Sequence, residues 1–472
     1  MHGFRLFRFS RALANTLLLF AATGLRAQTD GKLAPDLRAD VDRIAREVLA
    51  STGVPSASIA IVRDEQIAYV QAYGDARLEP RSPARTDMRY SIGSISKQFT
   101  ATAILMLAEQ QKLSLDDPVS KYLPELTRAS QVTVRQLLSH TSGYQDYWPQ
   151  DYVPPFMIRE VTAEDILNRW AKKPLGFAPG TQWQYSNTGY VLAGAIVEKA
   201  GGVPLLELLR SRVFAPLAME SVIDVDQGRL TESDPVGYLR YGLGPLRVAP
   251  KEGKGWLFAA GELAMTAHDL AKWNVALLEH RLLTPASYRE LETAVLLKNG
   301  LGTQYGLGVD VTTQFGRRVL THGGEVSGFT ASNTVFPEDR AAVTVLTNLD
   351  AAAAAPAITR RIAPLLLTDR ASTAAAQARA RRIFEGLQSG KIDRSLFTDN
   401  ANSYFTDRSL RDFAEGLRPL GAPTRFEQTA QSDRGGMTFR RFEVKFDKKT
   451  LQVWERDMPD GKIEQFLIAP GD

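Results

Sequence analysis

The alternation of apolar and polar positions divides the chain into strand-like segments at both ends of a long helical region. Apolar runs at residues 58–62 and 67–73 flank a polar turn, which predicts an antiparallel hairpin. Runs rich in β-branched residues follow at 319–322, 332–336 and 342–347. Helices are predicted between the two groups, at residues 97–111, 132–138, 163–171, 188–200, 205–212 and 267–279. This order predicts an α+β fold in which one antiparallel sheet is assembled from both ends of a domain, with helices packed beside it.

The pattern changes after the last of these strands. A closing helix is predicted over residues 351–367 despite Pro356, and small polar residues and alanine then follow, so we place a domain boundary at residue 370. The remaining segment, 371–472, has helix-like patterns at 378–387 and 410–417. Strand-like runs follow at residues 425–430, 437–446, 451–456 and 463–468.

Helices followed by a β meander resemble the cone-shaped α+β fold of nuclear transport factor two and the cystatin-like group. Residues 371–472 contain no recognisable catalytic cluster. We therefore interpret them as a small α+β accessory domain for packing or dimerisation, through which the protein would form a homo-oligomer.

The first residues have the pattern of a secretory signal peptide. Arg5, Arg8 and Arg11 precede a short apolar stretch at residues 12–22. We assign residues 1–27 to the signal peptide, with cleavage after Ala27 or, alternatively, after Gly24, and residues 28–370 to the first domain. An uncleaved membrane anchor is the other interpretation. The pattern predicts a secreted protein of the bacterial periplasm with no stable membrane span after cleavage.

Composition narrows the function classes. The chain has 57 Lys and Arg against 53 Asp and Glu, but four of the arginines lie within residues 1–27, so the mature chain is formally neutral. Without a basic excess, nucleic-acid binding has no electrostatic support. The absence of cysteine excludes disulfides, thiol catalysis and thiolate metal sites, and only 5 histidines are present. We therefore expect neither a metal nor a cofactor.

Ser94-Ile95-Ser96-Lys97 places a hydroxyl and an amine one helical turn apart. A serine attacks acyl carbons only when a neighbouring base takes its proton, and a partly desolvated lysine can supply that base. A single match of this kind is also what a solvated helix surface would give.

Two further motifs, Tyr185-Ser186-Asn187 and His322-Gly323-Gly324, follow in chain order. With Ser94-x-x-Lys97 they resemble the motif set of the serine β-lactamase and penicillin-binding superfamily, and most of all its class C-like branch, which includes D-peptidases and esterases. The segments at 90–93, 137–143 and 179–180 are also similar to that family. The resemblance covers roughly residues 36–369.

The resemblance implies an acyl-enzyme at Ser94, with Lys97 and Tyr185 as proton-transfer partners. A lysine ammonium at hydrogen-bond distance would lower the pKa of the Tyr185 phenol, which would suit a general base and acid. Asn187 would position Lys97 and a substrate amide. The N–H groups of Ser94 and Glu325 would form the oxyanion hole.

Gly323 and Gly324 also suit a strand edge that hydrogen-bonds a substrate backbone, because no side chain obstructs it. His322 stands where the penicillin-hydrolysing members have lysine, and a histidine is largely neutral above physiological pH. Efficient β-lactam hydrolysis is therefore not expected. We favour D-amino-acid-containing peptides as substrates, then small acyl esters, with weak β-lactamase activity third. A non-catalytic peptide- or penicillin-binding protein is the alternative from another class.

Three surrounding features complete the predicted site. His140 is interpreted as a structural histidine. Residues 256–266 are expected to line the wall of the cleft. Aromatic residues in a proline-rich loop are expected to form a rim over the substrate: Tyr144, Tyr147, Trp148 and Tyr152.

Overall fold

The structure is a computed structural model that describes residues 33–367 and 370–471. The predicted signal peptide, residues 1–27, lies outside the described residues. None of the helices in the described ranges is both long and apolar enough to cross a membrane.

The elements up to residue 367 follow the predicted order of strands, helices and strands. The N-terminal group is α1 (Pro35–Thr52), β1 (Ser56–Arg63), β2 (Gln66–Leu78), β3 (Arg81–Pro83) and β4 (Tyr90–Ser91). The middle group is α2 (Ser96–Glu109), α3 (Val134–Leu138), α4 (Ala163–Ile166), α5 (Asn187–Gly201), α6 (Leu205–Leu209), β5 (Ile223–Asp224), β6 (Tyr238–Arg240), β7 (Leu246–Val248), β8 (Leu263–Met265), α7 (Ala267–Leu278) and α8 (Pro285–Leu291). The last group is β9 (Asp310–Gln314), β10 (Arg317–Val326), β11 (Phe329–Phe336), β12 (Ala341–Thr347) and α9 (Ala354–Leu367).

A seven-stranded sheet joins the two ends of this region in the order β3-β2-β1-β12-β11-β10-β9. Its central pair is antiparallel, with Ile59 opposite Val345. The predicted sheet assembled from both ends of the domain is therefore confirmed. One face packs against α1 and α9, and the other packs against the helical region that contains α2, α5 and α7. The sequence analysis missed α1, although Leu37, Val41 and Ile44 show the helical spacing of its buried side.

Several element boundaries differ from prediction for local reasons. Helix α5 begins at Asn187 because the Ser186 side chain accepts the Gly189 N–H as an N-cap. The predicted helices at 163–171 and 205–212 continue as π-helical turns after α4 and α6. Pro356 lies in the first turn of α9, where its missing N–H leaves no helical hydrogen bond unmade.

The residues after 370 form α10 (Arg370–Gln388), α11 (Asp399–Tyr404), α12 (Asp407–Leu417), β13 (Arg425–Arg434), β14 (Met437–Lys445), β15 (Thr450–Asp457) and β16 (Ile463–Pro470). The four strands form one antiparallel sheet in chain order, so the predicted helices and meander are present. Their own hydrophobic core includes Phe384, Phe397 and Phe442. The sequence analysis missed α11. The boundary at 370 and the resemblance to nuclear transport factor two remain predictions.

Helix α2 is buried on all sides from Ser96 to Leu107. Phe99 packs edge-on to Phe214 and at 4.6 Å, centroid to centroid, from Trp273. The 3₁₀ turn Gly93–Ile95 leads directly into this helix. The core therefore holds the residues of the Ser94-x-x-Lys97 motif in a fixed place.

Replacing Phe99 by alanine should lower the free energy of unfolding by about 3–5 kcal/mol, because it removes a fully buried ring and leaves a cavity. Urea denaturation followed by tryptophan fluorescence measures the change. The matched control is Phe315→Ala, which removes a half-exposed ring and should change stability by about 0.5 kcal/mol or less. Equal losses in the two variants would contradict the assignment of α2 to the core.

Candidate active site

Ser94 and Lys97 meet at the N-terminal end of α2. The Lys97 amine lies 3.0 Å from Ser94 Oγ, and it donates to Asn187 Oδ1 at 2.8 Å and to the Ala260 carbonyl at 2.7 Å. Lys97 is fully buried, and this burial lowers its pKa to about 7, while Asp146 and Glu262 act in the opposite direction. Near neutral pH a large fraction of Lys97 is therefore uncharged and can accept a proton.

Tyr185 contacts the same serine. Its phenol is close enough to the Ser94 hydroxyl for that group to lower its pKa, and Lys97 Nζ lies 5.0 Å from the centre of its ring. Burial raises the pKa of Tyr185, the reverse of the direction expected from the sequence, and the Lys97 amine is bonded to Ser94, Asn187 and Ala260 rather than to the phenol. Tyr185 is thus a neutral phenol in the resting site and has a proton to donate.

His140 supports Tyr185 from behind. The two rings stack with centroids 4.1 Å apart, and His140 Nδ1 accepts the Ser186 N–H at 3.1 Å. Burial holds the pKa of His140 well below its usual range, so the ring stays neutral. The geometry agrees with the structural interpretation of this histidine, because it fixes the segment that carries Tyr185 and Asn187.

His322 is also neutral, with a defined tautomer. Its Nδ1 lies 2.6 Å from the Gly323 carbonyl, which can only accept, so Nδ1 carries the proton. Its Nε2 therefore accepts from the Tyr305 hydroxyl at 2.9 Å. Burial and the nearby Lys97 lower the pKa of His322 to about 4. This histidine is uncharged throughout the physiological range, a stronger effect than the sequence predicts.

Gly324 on strand β10 and Gly93 in the serine turn let these two segments approach each other closely. A Cβ on Gly324 would lie 1.9 Å from the Ile92 carbonyl oxygen, and one on Gly93 would lie 2.7 Å from the Glu325 nitrogen. The backbones of Ser94 and Glu325 are thereby brought side by side, as an oxyanion hole requires. Strand β9 pairs with β10 only over residues 317–321, so in the described chain that edge of β10 has no strand partner beyond Thr321.

A cavity of about 670 Å³ opens above these groups. Tyr147, Trp148 and Tyr152 line it, but Tyr144 is buried elsewhere and donates to the Thr127 carbonyl. The predicted aromatic rim therefore has three of its four members. The expected cleft wall at residues 256–266 is present through Leu257, Ala260 and Gly261.

The sequence analysis missed several residues of this site. Asp146 accepts two hydrogen bonds from Asn187, and Tyr305 holds His322. The carbonyl of Ala260 has no residue-type signal, because any residue supplies one. Asp350 lines the cavity next to Glu325. In the described ranges no three His, Asp or Glu side chains are grouped so that they could hold a metal ion.

Comparison with known proteins places this site in a family. The family model described as Beta-lactamase matches residues 41–367. The chain belongs to the beta-lactamase family. It is therefore an enzyme of the serine hydrolase type, and the predicted family is confirmed over the sheet and the helical region.

This beta-lactamase family member is similar to several D-aminopeptidases. A D-aminopeptidase of Brucella anthropi is 27% identical over 311 residues, which cover 63% of this chain and 57% of the relative. The chain thus spans less than two thirds of that relative's length. Among solved structures, D-amino acid amidase from Ochrobactrum anthropi SV3 complexed with L-phenylalanine amide has a TM-score of 0.62 at 26% identity, over 71% of this chain and 99% of the amidase.

A further solved structure extends the likeness in fold. The octameric penicillin-binding protein homologue from Pyrococcus abyssi covers 92% of this chain and 96% of its own, with a TM-score of 0.62 at 23% identity. The described fold of this beta-lactamase family member, an antiparallel sheet with helices and a further C-terminal sheet, therefore occurs in another protein almost in full.

Gly324→Ala should reduce acylation of Ser94 about 100-fold or more, because the added methyl would push β10 and the oxyanion-hole N–H of Glu325 away from Ile92. The rate of labelling by a fluorescent fluorophosphonate measures the effect. The control is Gly416→Ala in α12, since an added methyl there would meet nothing within 4 Å. A Gly324→Ala protein that labels as fast as Gly416→Ala would contradict this contact.

The pH dependence of kcat/KM should show an acid limb with a midpoint near pH 7. Lys97 can take the Ser94 proton only when neutral, so activity is present above its pKa of about 7 and falls as the pH drops through it. A p-nitrophenyl ester, which does not ionise in this range, is the suitable substrate. A profile that is flat from pH 8 to pH 5 would be inconsistent with Lys97 as the base.

Proposed function

We propose that this protein is an exported serine hydrolase that forms an acyl-enzyme at Ser94 and acts on D-amino-acid-containing peptides or amides with a free amino group. The observation that carries the proposal is the hydrogen bond between a desolvated Lys97 amine and Ser94 Oγ. An amine with a pKa of about 7 is suited to take a proton at neutral pH and to return it later.

In the acylation step neutral Lys97 takes the Ser94 proton while Oγ attacks the substrate carbonyl. The Ser94 and Glu325 N–H groups stabilise the oxyanion that forms. Tyr185 then donates its proton to the leaving amine as the carbon–nitrogen bond breaks. The phenolate left on Tyr185 is stabilised by the lysine ammonium formed in the same step, whose nitrogen lies over its ring.

Deacylation reverses these roles. The Tyr185 phenolate takes a proton from water, which attacks the ester carbonyl. Lys97 gives its proton back to Ser94 Oγ as the acid leaves. Each group ends in the state in which it began, so the cycle needs no cofactor.

The charge of the cleft favours a substrate with an ammonium group. Glu325 and Asp350 are the ionisable acids among the described lining residues, and no Lys or Arg side chain lines the cavity. Burial, together with the neighbouring Glu325, raises the pKa of Asp350 to about 7, so Asp350 exchanges a proton near neutral pH. An ammonium would replace that proton, whereas a carboxylate, as in a β-lactam or a peptide C-terminus, would meet negative charge.

The relatives support the same substrate class. A D-aminopeptidase and a D-amino acid amidase are similar to this chain in sequence and in fold. The open edge of β10 from His322 onward offers the substrate backbone a strand to pair with. A small acyl ester remains the second candidate, because it needs only the serine, its base and the oxyanion hole.

The test is a substrate panel of D-aminoacyl p-nitroanilides, their N-acetyl analogues, L-isomers, p-nitrophenyl esters and nitrocefin. We expect turnover of the D-aminoacyl p-nitroanilides with a free amino group, and no turnover of any substrate by Ser94→Ala.

Asp350→Asn should lower the ratio of kcat/KM for free over acetylated amines about 10-fold, because it removes a charged partner of the ammonium. Glu338→Gln, on the exposed turn between β11 and β12, should leave that ratio unchanged. Preference of the parent for acetylated substrates would refute the proposed specificity.

Export and assembly complete the proposal. Mass spectrometry of protein from a periplasmic fraction should find a mature N-terminus at Gln28, as the motif at residues 1–27 predicts.

The Pyrococcus abyssi homologue is octameric. We propose that this chain also self-associates through residues 371–472, and light scattering of the full chain beside a chain ending at 370 tests this.

A further inference from the structure

Asp146 lies behind the proton-transfer groups and touches none of the reacting atoms. Its carboxylate accepts the Asn187 N–H through Oδ1 at 3.0 Å and the Asn187 side-chain amide through Oδ2 at 3.1 Å. The Trp148 N–H adds a third hydrogen bond to Oδ1 at 3.3 Å. Both carboxylate oxygens of Asp146 therefore accept hydrogen bonds from N–H groups, which can only donate.

This arrangement decides which end of the Asn187 amide faces Lys97. A carboxylate has no hydrogen to donate, so only the NH₂ end of the amide can face Asp146. The amide oxygen is thereby turned to the Lys97 amine, 2.8 Å away. Asp146 therefore acts on Lys97 through Asn187.

The orientation of the amide in turn decides where the lone pair of a neutral Lys97 points. A neutral amine has two N–H bonds and one lone pair, and Lys97 has three partners. Two of these, Asn187 Oδ1 and the Ala260 carbonyl, can only accept. They take the two N–H bonds, which leaves the lone pair directed at Ser94 Oγ. A reversed Asn187 amide would donate to that lone pair and block it.

Charge adds a second effect on the same lysine. The Asp146 carboxylate raises the pKa of Lys97 against the lowering by burial, as does Glu262. Burial raises the pKa of Asp146 itself to about 6, and Lys97 lowers it. The remaining groups that face the amine are uncharged, namely His140, His322, Tyr185 and Tyr190.

We infer that Asp146 is a positioning residue of the hydrolase, which keeps the lone pair of Lys97 on Ser94 by holding the Asn187 amide in one orientation. The inference rests on the proposed serine nucleophile and not on the choice of substrate. Fluorophosphonate labelling of Ser94, which needs no peptide substrate, therefore tests it even if the proposed D-peptide specificity fails.

Asp146→Asn should reduce the labelling rate and kcat about 10- to 100-fold with little change in KM, because the amide of Asn187 can then reverse. Its acid limb should move to lower pH. Removing the negative charge lowers the pKa of Lys97, so the variant keeps a larger share of its own maximum at pH 6 than the parent does.

Two further variants separate positioning from a general structural effect. If Asp146 acts through Asn187, the double variant Asp146→Asn, Asn187→Ala should be no slower than Asn187→Ala alone. The matched control is Asp151→Asn, a buried carboxylate of the same loop that is bonded to Trp170 and Arg169 instead. It should lower the melting temperature and leave the acid limb in place.

Three results would overturn the inference. The first is an Asp146→Asn protein with the labelling rate and the acid limb of the parent. The second is an acid limb that moves to higher pH in this variant. The third is a double variant in which the losses of labelling rate of the two single variants add. Additive losses would show that the two side chains act on Lys97 independently.

Discussion

The chemistry proposed for this hydrolase depends on placing one lysine amine out of water without a carboxylate in direct contact. Lys97 is fully buried, and its hydrogen-bond partners are a hydroxyl, an amide oxygen and a backbone carbonyl. A direct ion pair would have kept the amine charged and useless as a base. The carboxylates of Asp146 and Glu262 act from farther away and moderate the effect of burial, so that the pKa of Lys97 lies near 7 rather than far below it.

The rest of the site is arranged so that the aromatic and histidine side chains around this amine do not titrate near neutral pH. His140 and His322 are buried and Tyr185 is partly buried, and the loss of hydration keeps each of them uncharged. The hydrogen bonds of His322 have defined donors and acceptors. The Tyr305 hydroxyl donates to its Nε2, and its Nδ1 donates to the Gly323 carbonyl. An aromatic and histidine layer of this kind positions the reacting groups and adds no charge that would compete with Lys97.

The residues that belong to short motifs could be found from the sequence, whereas single loop residues that hold those motifs in place could not. Ser94, Lys97, Tyr185, Asn187 and the two glycines belong to short motifs, and the structure brings them together. Asp146 and Tyr305 are single residues of common types in loops, where a sequence pattern does not show what a side chain faces. The sequence analysis predicted a lowered pKa for Tyr185, and this was wrong because a motif does not show that burial raises the pKa of the phenol. The sheet was predictable from its β-branched runs, whereas helix α5 starts at Asn187 owing to a single cap.

The pairing of β1 with β12 has a consequence for when the enzyme first becomes reactive. Ile59 pairs with Val345, and the strand that supplies Glu325 and the glycines is held in the sheet through β11 and β12. During synthesis, which starts at the N-terminus, the growing chain therefore contains Ser94 long before it contains Glu325, whose backbone completes the proposed oxyanion hole. Chains that end before Glu325 therefore lack one of the two N–H groups proposed for the oxyanion hole, even though they contain Ser94 and Lys97.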